Sequence, residues 1–402
     1  VTIRLQRKNT IKSSKEGGHR VKFIFFCAQY LPTVGGVERY THSLAARLVK
    51  NGHCAVVVTG ALEGLSSCET DELGIKIYRL PVVWLMNHRF PVIKPTREFF
   101  RLKKEIENER ADFGVIQTRF YLTSLFGAGF CTQNKIPSIV IDHSTSHLLS
   151  GGLVGCVGQW YEHLAAGYLK KQVGGFYGVS KRCTQWLTHF GIDAKGVLYN
   201  CIDLEGIEGV PPATKREYDI SPQALVVVFA ARLVKEKGVL KLLEAFESLG
   251  YPPDKGVLMI AGDGELFSAV KARERDNIRV LGGISFEKAI GLYKMADIFC
   301  LPTDYPEGLP TTVLEAAAAK TMVIATDRGG TGEVIRDDSY GIILKENTPE
   351  ELAKALKRAL ENREYRQRCT ENSYDWVREN FEWKSCTDKL EKIAKGQIEN
   401  GR

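Results

Sequence analysis

The sequence predicts an α/β protein with two Rossmann-like, doubly wound domains that face each other across a cleft. Short apolar runs rich in β-branched residues alternate with helical patterns along most of the chain. At 402 residues the chain is too long for one ordinary hydrophobic core. A charged, proline-containing stretch at 205–223 interrupts the alternation once. Such sheets bind ligands beyond the carboxyl ends of their strands, so we expect the functional site in the cleft.

The first domain is expected over residues 21–204. It follows a basic, polar leader, residues 1–20, which lacks the apolar segment of a secretory signal and which we expect to be disordered. Its strands and helices are predicted in the order KFIFFC, a helix over 36–50, AVVVTG, FGVIQT, a helix over 120–132, SIVIDH, FYGVS, a helix over 181–190, and GVLYN. Because these strands are apolar on both faces, they indicate a parallel sheet covered by helices on both sides.

The second domain is expected over residues 205–380. Its elements are predicted in the order ALVVVFAARL, a helix over 238–250, VLMIAGDG, a helix over 265–275, IRVLGG, a helix over 285–295, IFCLPT, a helix over 310–320, TMVIATD, a short helix over 330–336, GIILK, and a helix over 349–362. The tail has a helical pattern over 365–395 with a break near ENFEWKS. We expect the terminal helix, 381–402, to pack back on the first domain.

Composition and charge narrow the possible classes of function. An apolar content of 44% with 26% charged residues is ordinary for a soluble enzyme. No stretch approaches the ~18 apolar residues that a membrane-spanning helix needs. The net charge of +7 favours anionic small molecules or a membrane surface as partners. Because no basic tract is interleaved with aromatic residues, we expect no nucleic-acid partner.

Ten cysteines are scattered singly along the chain, without a CxxC pair. The sequence also contains no N-glycosylation sequon. Together with the missing secretory signal, these features favour free thiols in a reducing compartment, and therefore a cytoplasmic location.

The stretch PEGLPTTVLEAAAAK, residues 306–320, places two carboxylates around the start of a predicted helix. Pro310 suits the first helical turn, and the free N–H groups there form a site for phosphate. Glu315 would lie about 7 to 8 Å deeper along the helix, a distance suited to a ribose, and Glu307 would lie on the sugar side. Carboxylates accept hydrogen bonds from hydroxyl groups, so the arrangement predicts a nucleotide diphosphate sugar. Alternatively, Glu315 caps the helix or pairs with a lysine.

Two further stretches offer groups for a diphosphate. Arg232 follows a strand and Lys237 precedes the glycine that opens the next helix, although both also fit a solvated charge cluster. Gly35 and Gly36 follow the first strand and let the backbone approach a phosphate. This pair lacks the GxGxxG fingerprint and is weak evidence by itself.

His143 follows the strand SIVIDH at the edge where such sheets carry functional groups. A metal site with His147 lacks a third ligand at a suitable spacing. An ordinary surface histidine is the other alternative.

In combination, these stretches resemble the retaining GT-B glycosyltransferases of the group 1 type, a family that includes bacterial sugar transferases and sucrose synthase. The resemblance covers roughly residues 20–395. It is carried by the glycine pair at 35–36, GVSK at 178–181, YNCID at 199–203, ARLVKEKGVLKLLEAF, AGDGEL, and the two glutamates of the E-x7-E pattern, Glu307 and Glu315.

The resemblance implies a role for each matching residue. Arg232 and Lys237 would bind the donor diphosphate and stabilise the charge that develops on it. Glu307 would hold the sugar hydroxyls and Glu315 the ribose diol. Residues of the intervening loop and helix start would shape the phosphate and sugar site: Gly308, Leu309, Pro310 and Thr311.

Two further implied roles belong to the first domain. Gly35 and Gly36 would approach the phosphate, and His143 would lie near the reacting face of the sugar or near the acceptor. The family's products keep the anomeric configuration of the donor, with the leaving phosphate helping to deprotonate the acceptor. No cofactor and no metal ion are expected, and the chain contains no Asp-x-Asp pair.

The acceptor is expected to be a saccharide or a polyprenyl-linked lipid. The segment 82–104 combines aromatic and basic residues that suit contact with an anionic bilayer, at the inner face of the cell membrane. Equally, it is an ordinary amphipathic helix whose phenylalanines enter the core. The glycine-rich stretch 147–160 is expected to be a mobile acceptor lid.

The predicted function is therefore transfer of a hexose or N-acetylhexosamine in the synthesis of a cell-surface polysaccharide or glycolipid. Two alternatives remain at this stage. The same fold could belong to a sugar-nucleotide epimerase or to a non-catalytic binding subunit. Neither the sugar nor the nucleotide base follows from the sequence.

Overall fold

The protein is described by a computed structural model that covers residues 20–33, 35–86, 90–149 and 151–401. The predicted disordered leader therefore lies, apart from Arg20, outside the described residues. The predicted α/β class is confirmed: two mostly parallel sheets are each covered by helices on both faces.

The N-terminal lobe is built on an eight-stranded sheet with the order β10-β9-β8-β7-β1-β2-β4-β3. Its strands, together with a separate hairpin formed by β5 and β6, are β1 (Lys22–Phe26), β2 (Cys54–Gly60), β3 (Cys68–Thr70), β4 (Lys76–Leu80), β5 (Val82–Leu85), β6 (Phe90–Ile93), β7 (Phe113–Gln117), β8 (Ser138–Asp142), β9 (Phe176–Gly178) and β10 (Gly196–Val197). Its helices are α1 (Gly36–Lys50), α2 (Arg97–Asn108), α3 (Leu122–Gln133), α4 (Gly152–Gln172), α5 (Lys181–Leu187) and α6 (Leu204–Gly209). Only β3 runs antiparallel to its neighbour in this sheet.

The C-terminal lobe is built on a six-stranded parallel sheet with the order β13-β12-β11-β14-β15-β16. Its strands are β11 (Leu225–Ala230), β12 (Gly256–Ala261), β13 (Ile278–Gly282), β14 (Ile298–Leu301), β15 (Met322–Thr326) and β16 (Ile342–Leu344). Its helices are α7 (Val239–Ser248), α8 (Phe267–Lys271), α9 (Phe286–Met295), α10 (Thr311–Ala318), α11 (Thr331–Val334), α12 (Pro349–Glu361) and α13 (Arg363–Asn380), and the chain ends in α14 (Trp383–Asn400).

The last helix returns to the N-terminal lobe. Trp383, Leu390 and Ala394 of α14 are buried in the core on one face of the first sheet, beside α1. The break before α14 lies at residues 381–382, where the chain crosses between lobes. There the N–H of Ile202 donates to the carbonyl of Phe381 over 2.9 Å. This hydrogen bond joins the two chain segments that pass between the lobes.

Three sequence-based expectations are corrected by the structure. The glycine-rich stretch 147–160 is not a lid throughout, because residues 152–160 form the first part of α4. The segment 82–104 is divided between the β5–β6 hairpin and α2, with Phe99 buried and Phe100 59% exposed. The helix expected over 265–275 is confined to Phe267–Lys271. In the described part of the chain, no helix is long and apolar enough to span a bilayer.

Candidate functional site

The loop before α10 is held from one side by hydrogen bonds to its carbonyl groups. The hydroxyl of Thr145 donates to the carbonyl of Glu307 over 2.9 Å, and the N–H of Gly330 donates to the carbonyl of Gly308 over 2.8 Å. The amide of Asn200 donates to the carbonyl of Leu309 over 2.7 Å. Two of these three donors, Thr145 and Asn200, belong to the N-terminal lobe.

This tethering sets the direction of the loop's N–H groups. In a trans peptide the C=O and N–H groups point in opposite directions. The N–H groups of Gly308 and Leu309 therefore point away from Thr145 and Gly330, and neither donates to an acceptor within the described ranges. A methyl group on Gly308 would lie 2.5 Å from the carbonyl oxygen of His143, so only glycine lets the lobes approach here.

The helix that follows adds further free donors to the same place. Pro310 precedes the helix as its N-cap residue, and Thr311 is the first helical residue, one position later than the sequence suggested. The first N–H groups of a helix have no intrahelical acceptor and attract anions. The loop and the start of α10 therefore bring several free backbone N–H donors close together.

Lys237, Glu307 and Arg232 lie together beside these donors. The Lys237 ammonium forms an ion pair with the Glu307 carboxylate, and both side chains are largely buried. Its Nζ also lies 5.0 Å from the centre of the Tyr305 ring. The guanidinium carbon of exposed Arg232 lies 5.9 Å from the same ring centre. Two cations thus lie near the Tyr305 ring, and one of them pairs with the Glu307 carboxylate.

Glu315 is separated from this group and faces the other lobe. It is buried in α10 and pairs with Arg39 of α1, with Nη2 and Oε1 3.0 Å apart. Burial raises the pKa of the Glu315 carboxyl group, and the nearby guanidinium partly opposes that effect. The two side chains line a cavity of about 200 Å³ together with Phe286 and Trp383. Arg232, Lys237 and Glu307 do not line this cavity.

The glycine pair stands at the start of α1. Gly35 is the N-cap residue and Gly36 the first helical residue. Gly36 is exposed, and a methyl group added there would meet no atom within 4 Å. At Gly35 a methyl group would lie 2.2 Å from a carboxylate oxygen of Glu38, so a larger residue there would require the glutamate side chain to move.

His143 lies directly after β8 and is positioned by two neighbours. Its Nε2 is 2.7 Å from Oε1 of Gln117, and its ring packs edge-on against Tyr40 with ring centres 4.9 Å apart. Burial lowers the pKa of His143 to about 4, against an opposing effect of Asp142. The imidazole is therefore neutral at pH 7. With Nε2 donating to Gln117, Nδ1 remains a hydrogen-bond acceptor.

Two family models match successive parts of the chain. The model described as Glycosyltransferase Family 4 matches residues 34–205, and the model described as Glycosyl transferases group 1 matches residues 212–376. The chain is a group 1 glycosyltransferase with the GT-B fold.

Relatives resemble this glycosyltransferase over most of its length. An uncharacterized glycosyltransferase of Methanocaldococcus jannaschii is 26% identical over 394 residues, which cover 93% of this chain and 98% of that protein. The GPI3 subunit of phosphatidylinositol N-acetylglucosaminyltransferase from Saccharomyces cerevisiae is 21% identical over 371 residues, 89% of this chain and 79% of that protein.

Solved structures show the same fold. A glycosyltransferase from Rickettsia africae superposes with a TM-score of 0.75 at 19% identity, covering 95% of this chain and 100% of that one. HepE from Anabaena, crystallised in complex with UDP-glucose, superposes with a TM-score of 0.72 at 16% identity, covering 94% of this chain and 100% of that one.

The sequence alone did not reveal several residues of this site. Arg39 follows the glycine pair by three positions, yet its partner is 276 residues away in sequence. Thr145 and Asn200 act through hydrogen bonds to another lobe, for which no local pattern exists. Gln117 is the last residue of β7, the strand that pairs with β8. Its position at the carboxyl end of a strand was the one sequence signal for a functional role.

The described residues of the glycosyltransferase form no cluster that suits a metal ion. No group of three or more His, Cys, Asp or Glu side chains in the described ranges has a suitable geometry. His147 does not join His143; its Nδ1 lies 3.4 Å from a carboxylate oxygen of Glu162.

Proposed function

We propose that this glycosyltransferase is a retaining enzyme that moves a hexose or N-acetylhexosamine from a nucleotide diphosphate sugar to a saccharide or lipid-linked acceptor. The observation that carries the proposal is the meeting of Lys237 and Glu307 beside the free N–H groups of Gly308 and Leu309. Such a site offers donors to a diphosphate and an acceptor to sugar hydroxyls within one loop.

The proposed reaction breaks the bond between the anomeric carbon and the diphosphate oxygen. Negative charge then grows on the diphosphate, where Lys237, Arg232 and the loop N–H groups stabilise it. The acceptor oxygen attacks from the same face, and its proton passes to the departing phosphate oxygen. Neutral His143 would accept, at Nδ1, a hydrogen bond from a sugar hydroxyl. This contact would position the sugar ring while the imidazole stays uncharged.

Two comparisons support the class of donor. The Anabaena neighbour was crystallised with UDP-glucose, and the yeast relative is named as an N-acetylglucosaminyltransferase subunit. A hexose and an N-acetylhexosamine are accordingly the two sugar classes to test, with uridine and guanosine diphosphates as carriers.

We also propose that the enzyme works without a metal ion, because Lys237 and Arg232 already supply positive charge to the diphosphate. Chelation with EDTA should then leave the initial rate within about twofold of the untreated value, since the cations belong to the protein. A rate that falls more than tenfold and returns with Mg²⁺ or Mn²⁺ contradicts this part of the proposal.

The proposed location is the cytoplasm, with peripheral contact to the inner face of the cell membrane. The exposed face of α4 supports it: Val154, Val157, Trp160, Leu164 and Tyr168 are 40–69% exposed. The first charged side chain exposed along this helix is Lys170. An apolar helix face with an exposed tryptophan is typical of helices that lie in a membrane interface.

The donor site is tested by calorimetry with UDP and GDP. Lys237→Met should weaken binding of the preferred nucleotide at least tenfold, because it removes the partly buried cation of the site. Lys235→Met, the same change at an exposed position two residues away, is the matched control and should bind as wild type. Equal binding by all three proteins would overturn the assignment of the site.

Product analysis separates the two alternative functions. An epimerase would convert the sugar while the diphosphate bond stays intact, whereas a transferase releases the nucleoside diphosphate only when an acceptor is present. A binding subunit would hold the nucleotide sugar without converting it, and a separate partner would supply the activity.

A further inference from the structure

Arg119 is the largest fully buried side chain in the described part of the chain. It belongs to the connection between β7 and α3. Its guanidinium carbon lies 4.1, 5.4 and 6.0 Å from the ring centres of Phe190, Phe120 and Trp186. A cation in such apolar surroundings has lost its water, so it needs buried acceptors in its place.

Two buried carboxylates supply these acceptors. Nη1 of Arg119 donates to Oδ2 of Asp142, and Nη2 donates to Oε2 of Glu162, each over 2.7 Å. Nη1 also donates to the hydroxyl oxygen of Ser144. Asp142 is 0% and Glu162 1% exposed. The planar guanidinium suits this task, because its two terminal nitrogens reach two separate carboxylates.

The two carboxylates in turn hold both ends of the loop that follows β8. At the start of the loop, Oδ1 of Asp142 accepts from the N–H of Ser144 over 2.9 Å and from its hydroxyl over 2.6 Å. Toward the end of the loop, Oε1 of Glu162 accepts from the N–H of Leu148 over 2.7 Å. Arg119 therefore joins both ends of residues 143–148 to one buried point.

Two residues of the candidate site lie between these anchors. The imidazole of His143 contacts Gln117 and the ring of Tyr40. Thr145 donates to the carbonyl of Glu307 in the loop before α10. The positions of both side chains therefore depend on how this loop is held.

The backbone immediately before Arg119 is strained. Thr118 is buried and has a φ of 67°, a left-handed conformation that is unfavourable for a β-branched residue. Its N–H donates to the carbonyl of Ile141 in β8 over 2.8 Å, so the neighbouring strand helps to impose this conformation. Strain of this kind persists where the surrounding structure fixes it, and it is frequent at functional sites.

Stability alone does not account for the buried triad of Arg119, Asp142 and Glu162. The triad places one positive and two negative charges where water does not solvate them. A well-packed apolar cluster of the same volume is often at least as stable. The triad adds a defined geometry that an apolar cluster lacks, since each charged group fixes the direction of its partners.

We propose that Arg119 is a positioning residue for glycosyl transfer, which holds His143 beside the donor sugar and Thr145 against the loop before α10. The inference rests on the proposed function for the roles of His143 and of that loop. It adds the buried side chain that sets their geometry without contacting the substrate.

The anchoring is tested with Arg119→Lys, which keeps the charge but replaces the planar fork by a single ammonium group. The loop should then loosen and admit water to the imidazole of His143. In NMR spectra of the histidine rings, wild-type His143 should not titrate between pH 8 and pH 5.5, because its pKa is about 4. In Arg119→Lys an inflection should appear near the ordinary value of 6.5. The signals of His143 are identified by their absence in His143→Asn.

A merely structural role for Arg119 predicts a different result. Arg119→Lys would then lower the free energy of unfolding and leave His143 without an inflection in the folded protein. That result would overturn the proposal.

Arg366→Lys is the matched control. This arginine is also largely buried, donates to the carbonyls of Ala359 and Leu360, and lies near Asp297. Asp297 precedes β14, so this contact is at the opposite end of that strand from the candidate site. The control should leave the titration of His143 as in the wild type, and an equal inflection in both variants would contradict the proposal.

Ser144→Ala tests the same anchor with a smaller change. It removes the hydroxyl that accepts from Arg119 and donates to Asp142. The onset of the His143 titration should rise above pH 6. If Arg119→Lys does not fold, an unchanged titration in Ser144→Ala overturns the proposal.

A second readout relates the anchor to the donor sugar. UDP-glucose or GDP-mannose, chosen by the carrier that binds better, should shift the His143 signals of the wild type more than the nucleoside diphosphate alone does. Arg119→Lys should lose this difference. Its affinity for the nucleoside diphosphate should stay within about twofold of the wild type, because Lys237 is unchanged. A sugar-dependent shift that persists in Arg119→Lys would contradict the positioning role.

The two readouts separate this inference from the proposed function. No nucleotide is present in the pH titration, which therefore decides whether Arg119 holds His143 in place. If the wild type binds neither UDP nor GDP, the proposed donor site fails while the anchoring is still decided by the titration. If nucleotides bind and the titration of Arg119→Lys equals that of the wild type, the donor site stands and the role of Arg119 is overturned.

Discussion

Arg39 and Glu315 join the two lobes through an ion pair, with Nη2 of the arginine 3.0 Å from Oε1 of the glutamate. The glutamate side chain is 5% exposed and the arginine side chain 42% exposed. Arg39 also lies over the ring of Phe286, 5.2 Å from its centre. The arginine thus contacts one oxygen of the carboxylate that we propose for the ribose hydroxyls, and we expect it to compete with the nucleotide for Glu315.

Arg39→Met should therefore raise the affinity for the preferred nucleoside diphosphate about three- to tenfold. The ribose would no longer compete with the guanidinium for Glu315. Calorimetry at pH 8 is the suitable measurement, because loss of the cation allows burial to raise the pKa of Glu315 further.

Arg47→Met is the matched control for this change. It also removes an arginine of α1 that forms an ion pair, here with Asp203 and not with Glu315. Its nucleotide affinity should equal that of the wild type. A tenfold weaker affinity in Arg39→Met would show instead that Arg39 contacts the nucleotide directly.

Strands and the helices between them were predictable because each has a local signature. Runs such as LVVVFA at 225–230 are apolar on both faces, and burial in a parallel sheet is the structure that satisfies them. Glu315 stood out for a related reason, since a carboxylate on an apolar helix face needs a partner. The sequence alone could not identify Arg39 as the partner of Glu315 in the nucleotide-free protein.

Helix α4 was missed because its first turns contain glycines at 151, 152, 155 and 158, which favour a loop when read alone. Tertiary packing reverses that preference. Ala165, Ala166 and Leu169 on its inner face are buried, and a methyl group on Gly129 of α3 would lie 2.7 Å from Oη of Tyr168. Small residues let α3 and α4 pack closely, and this contact has no local signature.

His143 should make the folded state sensitive to acid. Its folded pKa of about 4 lies below the ordinary value of 6.5, so the unfolded chain binds more protons between these two pH values. Stability that is present above pH 6.5 should therefore be lost as the pH falls toward 4, by on the order of 3 kcal/mol in all. Urea unfolding at steps of half a pH unit measures this slope.

His143→Asn should flatten the acid slope, since asparagine does not titrate. The matched control is His163→Asn, which changes an exposed histidine of α4 and should keep the slope of the wild type. An unchanged slope in His143→Asn would contradict a buried, neutral imidazole at this position.

Gly36→Ala should weaken nucleotide binding without weakening the fold. The exposed first residue of α1 has no atom within 4 Å of an added methyl group, so the free protein has room for it. Alanine also favours a helix more than glycine does, by up to about 1 kcal/mol. If the phosphate approaches this backbone, the methyl group takes its space, and affinity should fall at least tenfold in calorimetry.

Gly396→Ala separates the effect on binding from the effect on the helix. This glycine lies within α14 and also has no atom within 4 Å of an added methyl group, so both variants should unfold at or above the wild-type temperature. Only Gly36→Ala should then lose nucleotide affinity. Should both variants bind like the wild type, the diphosphate does not approach Gly36 at the start of α1.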